Sequence, residues 1–155
     1  MSEECISFSA KFNLSLSLGL AESAVAGWSD FMLTGVNTYT PQQMSEKLQL
    51  WEDNKHVVSI GGYYTLKGIA HHYLGDYAVS ATSLELAQPY LRGLSDNILN
   101  RLWYVFRYVN SLRVNIKTDE DESLILQDCI NRVQTWASLG PILKPYYTFM
   151  LLESA

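Results

Sequence analysis

The chain has 155 residues, of which 48% are hydrophobic and only 17% charged, and a net charge of -5. That is enough apolar material for one compact core rather than a disordered tail, and a charge content below the roughly 25% of an average soluble domain leaves apolar surface for a partner. The negative balance argues against phosphate-driven nucleic-acid binding, which needs clustered Lys and Arg, and Glu22 and Asp30 interrupt the most apolar stretch, 18–36, which argues against a signal peptide or a membrane span.

Over 14–35 the residues Leu16, Leu18, Leu20, Ala24, Trp28, Phe31 and Met32 suit one broken helix or two short ones, with Gly19, Ala21, Ala26 and Gly27 on thin faces. Alternating Leu14, Leu16, Leu18 and Leu20 also suit a strand, but a lone strand has no partner in a chain that is helical downstream. Thr40-Pro41-Gln42-Gln43 reads as a helix start, with Thr40 as N-cap, Pro41 in the first turn and Gln43 closing a capping box, and Met44, Leu48 and Trp51 mark one face. The next helix is expected over 58–74 with Tyr64, Leu66, Ile69, Ala70, Tyr73 and Leu74 inward, and Gly61-Gly62 as a weak point near its start.

Gly75-Asp76-Tyr77 is the most telling segment. Gly68 and Ala70 before it and Ser80, Leu84 and Ala87 after it let two antiparallel helices approach closely, Gly75 supplies a left-handed turn residue, and Tyr77 braces the turn. The partner helix carries Leu84, Leu86 and Ala87 until Pro89 removes an amide hydrogen, and Gly93 ends the unit.

An amphipathic helix is expected over 97–117, capped by Ser95 or Asp96, with Ile98, Leu102, Val105, Phe106, Val109, Leu112 and Ile116 on one arc. The acids 119–122 suit the start of the following helix, whose inward set is Leu124, Leu126, Ile130, Val133, Trp136 and Ala137. Gly140-Pro141 stops it, and a last helix begins near Pro145 and runs through Tyr147, Met150 and Leu151. The pattern reads as one all-α domain over 1–155, antiparallel helix pairs stacked as a short tetratricopeptide-like solenoid. A helix that reaches Ala155 without a cap leaves an apolar face to cover, which implies a longer chain or a homo-oligomer formed through that helix.

Tyr64 to Gly68, His72 to Tyr77 and Glu85 to Leu91 together resemble the tetratricopeptide-like region of large bacterial signalling proteins. Trp136-Ala137, Pro145-Tyr146-Tyr147 and Leu152 to Ala155 are similar to the closing part of that region, and Glu22 to Trp28 to its opening part. In such proteins a serine/threonine kinase-like domain and an ATPase precede the helical region, and a GAF domain with a histidine kinase or another output domain follows. The resemblance implies a non-catalytic module for docking or relay, with a protein partner or neighbouring domains of the same polypeptide. It carries no activity over, because the chain holds no kinase, ATPase or phosphoacceptor motif.

The chemistry-bearing residues point the same way. His71 and His72 are adjacent, so their rings diverge by about 100° on a helix instead of chelating at i, i+4, and no metal or other cofactor is expected. The acidic run 119–122 lacks the glycine and alternating ligands of a calcium loop. Cys129 sits among Leu126, Ile130 and Val133, where no cation lowers its pKa, and reduced Cys5 and Cys129 suit the cytoplasm. No nucleophile elbow or phosphate loop occurs, so no enzyme is expected. Arg101, Tyr104 and Tyr108 fall on one flank of their helix, either as partner contacts or as packing against the next helix pair. A groove-type sensor for a peptide or small molecule is the alternative function, and it requires a deep pocket lined by aromatics and His71 or His72.

Overall fold

The computed structural model describes residues 15–28, 39–95, 97–114 and 120–154, with side chains described from Glu22 onward and, in the segment that opens at 120, from Ser123. Among these residues every regular element is helical: α1 (Ser15–Trp28), α2 (Pro41–Asp53), α3 (Val57–Tyr73), α4 (Tyr77–Ala87), a 3-10 segment (Gln88–Leu94), α5 (Ile98–Val114), α6 (Glu120–Leu139), a short 3-10 turn (Pro141–Leu143) and α7 (Lys144–Glu153). The alternating leucines that suit a strand lie in α1 from Ser15 onward. Phe31, Met32, Ile116, Asp96, Asp119 and Cys5 lie outside the described residues.

Helix α2 starts as its sequence dictates. Gln43 N donates to Thr40 Oγ1 at 3.2 Å and Thr40 N to Gln43 Oε1 at 2.8 Å, a reciprocal capping box followed by proline in the first turn. Met44 and Trp51 are buried on its inner face, and Lys47 crosses to Glu22 of α1 at 2.6 Å.

Helix α3 is the centre of the fold, and it is buried nearly all round. α1, α2, α4, α5 and the Gln88–Leu94 segment all pack on it. Glycines make these approaches possible: a Cβ on Gly27 would lie 2.7 Å from Leu66 Cβ, one on Gly61 2.9 Å from Tyr90 Cβ, and one on Gly93 2.6 Å from Val57 Cγ2. Gly61 and Gly62 therefore do not weaken the helix start; they lie buried inside a helix that begins at Val57. Because α3 has no single inner face, Ser59, Ile60, Tyr63, Thr65 and His72 are buried beside Leu66, Ile69 and Ala70. Tyr73 and Leu74, expected inward, are exposed at the C-terminal end of the helix.

Gly75 has φ +80°, the left-handed conformation that glycine adopts without a Cβ penalty, and it turns the chain from α3 into α4. Asp76 caps α4, its Oδ1 accepting from Val79 N at 3.4 Å. The helices then run antiparallel, with Ser80 Oγ donating to the Gly68 carbonyl at 2.7 Å. Leu84 and Ala87 are fully buried, whereas Leu86 is 47% exposed.

Pro89 ends α4 by a specific exchange. Proline has no N–H, Gln88 N donates to the Glu85 carbonyl, and the chain continues as a 3-10 segment. The Leu84 carbonyl accepts instead from Trp103 Nε1 at 2.7 Å. This contact belongs to a polar seam along α5: Asn100 Nδ2 donates to the Leu91 carbonyl at 3.0 Å, Asn110 Nδ2 to the Tyr77 carbonyl at 2.9 Å, and Arg107 pairs with Glu85 at 3.6 Å. The seam explains why the apolar arc expected on α5 is displaced. Val105, Phe106 and Val109 are buried, but Ile98 and Leu112 are exposed and Trp103, Asn100, Arg107, Asn110 and Ser111 take the interior. The cap is Asn97, whose Oδ1 accepts from Leu99 N at 3.0 Å.

Helix α6 buries Cys129, Val133 and Ala137 against α5, with Trp136 and Ile130 partly covered and Leu124 exposed. α7 packs on both α5 and α6, burying Met150, and Glu153 pairs with Arg113 at the far end of α5.

Candidate functional site: the arginine–aromatic ridge on α5 and α6

The residues of the helix hairpin hold the frame. A Cβ on Gly68 would lie 2.7 Å from Leu84 Cγ, Ala70 and Ala87 are fully buried, and Gly75, Asp76 and Ser80 make the turn, cap and cross-helix bond already described. Tyr77 opens α4 with its ring 5.3 Å from that of His72.

His72 is buried among rings, with Phe106 at 5.2 Å and Tyr73 at 6.0 Å. Asn110 holds its Nδ1 at 3.2 Å. Since Asn110 Nδ2 is committed to the Tyr77 carbonyl, its Oδ1 faces His72, and Nδ1 is the donor in a neutral imidazole. Burial pushes the His72 pKa below its ordinary value, while the Asn110 bond and Glu153 act in the opposite direction. His71 instead lies 3.5 Å from Asp76 Oδ2. The two rings thus serve different neighbours, and among the described residues no group of three His, Cys, Asp or Glu is placed to hold a metal ion.

On the opposite side of α5, cations and rings interleave across to α6. Arg101 Cζ stands 5.9 Å from the Trp136 ring, Trp136 meets Tyr104 edge-on at 5.4 Å, and Arg132 Cζ stands 5.2 Å from Tyr104. Arg101 and Tyr104 are i, i+3 on α5, and Arg132 and Trp136 are i, i+4 on α6, so antiparallel packing alternates the four side chains. Arg132 is also held by Asp128 at 2.7 Å, which raises its pKa further. Burial raises the Tyr104 phenol, and Arg132 opposes that shift. Tyr108 is partly buried against the core, and its ring takes no part in this ridge.

Shallow clefts flank the ridge. One, of about 210 Å³, is lined by Arg101, Trp136, Leu139, Gly140, Ile142 and Leu143, with Leu139 80% and Ile142 67% exposed at its rim. A second, of about 280 Å³, lies between Tyr104, Leu91, Leu124 and Asp128. A third, of about 290 Å³, lies apart, between Tyr64 and Lys67 of α3 and Val79 and Leu86 of α4. Neither His71 nor His72 lines any of these three.

Sequence reasoning placed Arg101 and Tyr104 here but read Trp136 only as core and did not use Arg132. The matching i, i+3 and i, i+4 spacings of Arg and aromatic residues on two successive antiparallel helices were the available signal. Among the described residues no helix is long and apolar enough to cross a membrane. No family model matches this chain, and no curated protein and no solved structure does either.

Proposed function

We propose that this chain is a non-catalytic helical module, tetratricopeptide-like in the order of its antiparallel pairs, that docks a protein partner on the outer face of α5, α6 and the Pro141–Leu143 turn. The observation that carries the reading is the cleft at Arg101 and Trp136, bordered by the strongly exposed Leu139 and Ile142. Arginine and tryptophan concentrate binding energy at protein interfaces, and Trp136 and Tyr104 form a rigid platform that loses little side-chain entropy on contact. The polar seam between α5 and the α3–α4 hairpin supports a fixed frame beneath that platform. A relay role in a bacterial signal-transduction protein, through its neighbouring domains, agrees with the residues that resemble such regions and with a site built for contact rather than turnover.

A photo-crosslinking amino acid placed at Leu139 tests the reading. In cells expressing the full chain it is expected to form a discrete protein adduct that Trp136→Ala removes. An equal adduct from Leu50, exposed on α2, or no adduct from position 139, would overturn it.

A further inference from the structure

We infer that the Arg101–Trp136 cleft takes an acidic and apolar segment of a partner protein, one in which an aliphatic or aromatic side chain stands next to an Asp or Glu. This inference rests on the docking reading above and names the chemistry of what docks. The chain is acidic overall, with 16 acidic against 11 basic residues, yet the stretches 97–114 and 129–152 contain no acidic residue at all. They carry Arg101, Arg107, Arg113, Arg132 and Lys144, and they supply every side chain that lines the cleft. Arg101 is the one charged side chain among those lining the cleft, so the cleft's own charge is opposite in sign to that of the whole chain.

Three of these cations are already committed: Arg107 to Glu85, Arg113 to Glu153 and Arg132 to Asp128. Among the described residues neither Arg101 nor Lys144 has a carboxylate within ion-pairing distance. Arg101 lies over the face of Trp136, which orients the guanidinium, and Lys144 follows the buried Leu143 at the start of α7. The cleft thus offers an apolar floor and rim for one side chain and, in Arg101, a cation with no carboxylate partner among the described residues. A single cation on an apolar rim suits a short acidic peptide segment better than a polyphosphate backbone, which binds through many cations at once.

Selection of a random 12-residue peptide library on the immobilised full chain tests this. The expected result is at least a threefold enrichment of Asp and Glu next to Leu, Ile, Phe or Trp. Binding of a selected peptide should fall at least tenfold on Arg101→Gln and on replacing its acids by amides, should weaken with added salt, and should be largely kept by Arg101→Lys. Thermal melts of each variant establish that the fold is retained. Apolar peptides without acidic enrichment that still depend on Leu139 and Trp136 would overturn this inference and leave the docking reading standing. No selectable peptide would count against both, and an oligonucleotide bound with the same Arg101 dependence would assign the cation to phosphate and overturn the acidic-peptide inference.

Discussion

Asn110 ties His72 to the start of α4: its Oδ1 accepts from His72 Nδ1 at 3.2 Å while its Nδ2 donates to the Tyr77 carbonyl at 2.9 Å. One buried amide therefore joins α3, α4 and α5. The bond to Nδ1 by itself favours the protonated ring, but burial outweighs it and lowers the His72 pKa.

The pH dependence follows from the sign of that shift. Burial lowers the His72 pKa from 6.5, so the unfolded chain binds the proton more tightly than the folded one. The associated stability is complete above the unfolded value and is lost as pH falls from there through the lower folded value. Arg113 opposes protonation and Glu153 favours it, both more weakly than burial. Urea midpoints measured between about pH 7.5 and about pH 5 should fall for the native chain and fall less for His72→Asn. Parallel profiles would show that His72 is not the group responsible.

Gly68→Ala probes the closest helix contact. Alanine gains about 1 kcal/mol of helix propensity over glycine, but its Cβ would lie 2.7 Å from Leu84 Cγ and 3.3 Å from the Ser80 carbonyl oxygen. Overpacking of this kind costs about 1–3 kcal/mol, so a net loss of stability is expected. Adding Leu84→Ala should relieve the clash and make the double variant more stable than the sum of the two losses predicts. Strict additivity would mean that the hairpin adjusts elsewhere.

Leu84 and Leu86 separate the buried from the exposed side of α4. Leu84 is fully buried and Leu86 is 47% exposed. Leu84→Ala should cost about 2–5 kcal/mol through transfer and cavity terms, and Leu86→Ala less than about 0.5 kcal/mol. Similar losses at both positions in denaturant melts would place α4 in a different rotation.

Sequence pattern recovered the elements that punctuate the chain with local chemistry. Thr40-Pro41-Gln43 makes its capping box, Gly75 takes positive φ, and Pro89 ends α4, because each acts through its own backbone and a few neighbours. Rotation of the helices was harder to read. α3 is enclosed on several sides and has no apolar stripe, while α5 buries Asn100, Trp103 and Asn110 because carbonyls across the hairpin accept from them, and Arg107 beside Glu85. Those acceptors exist only once α4 and the Gln88–Leu94 segment have packed, so no period in the sequence announces them. Arg101 and Tyr104 were legible as a flank of α5, but their neighbours Trp136 and Arg132 depend on how α6 docks.

The ridge itself predicts a coupling. Arg101 rests over Trp136, and an exposed cation–π contact is worth about 0.5–1 kcal/mol. A double-mutant cycle of Arg101→Ala and Trp136→Ala should return a coupling of about that size that changes little with salt. A coupling indistinguishable from zero would leave Arg101 free to move away from the cleft rim.

Self-association through the last helix would have to use the surface that α7 leaves open. Met150, at the centre of the helix, is fully buried within the chain, and Arg113 pins Glu153, so the exposed large apolar side chains of α7 are Leu151 and Leu152. A stable specific interface buries about 1,200–2,000 Å² in total, far beyond what two leucines on one short helix provide. Leu152→Asp should therefore leave the light-scattering mass of the chain unchanged across a dilution series, while Met150→Ala should cost about 2–5 kcal/mol of folding stability. If Leu152→Asp instead splits a larger species into single chains, α7 must present a wider face than these side chains define, and the Met150 cavity would then be felt in the assembly as well as in the fold.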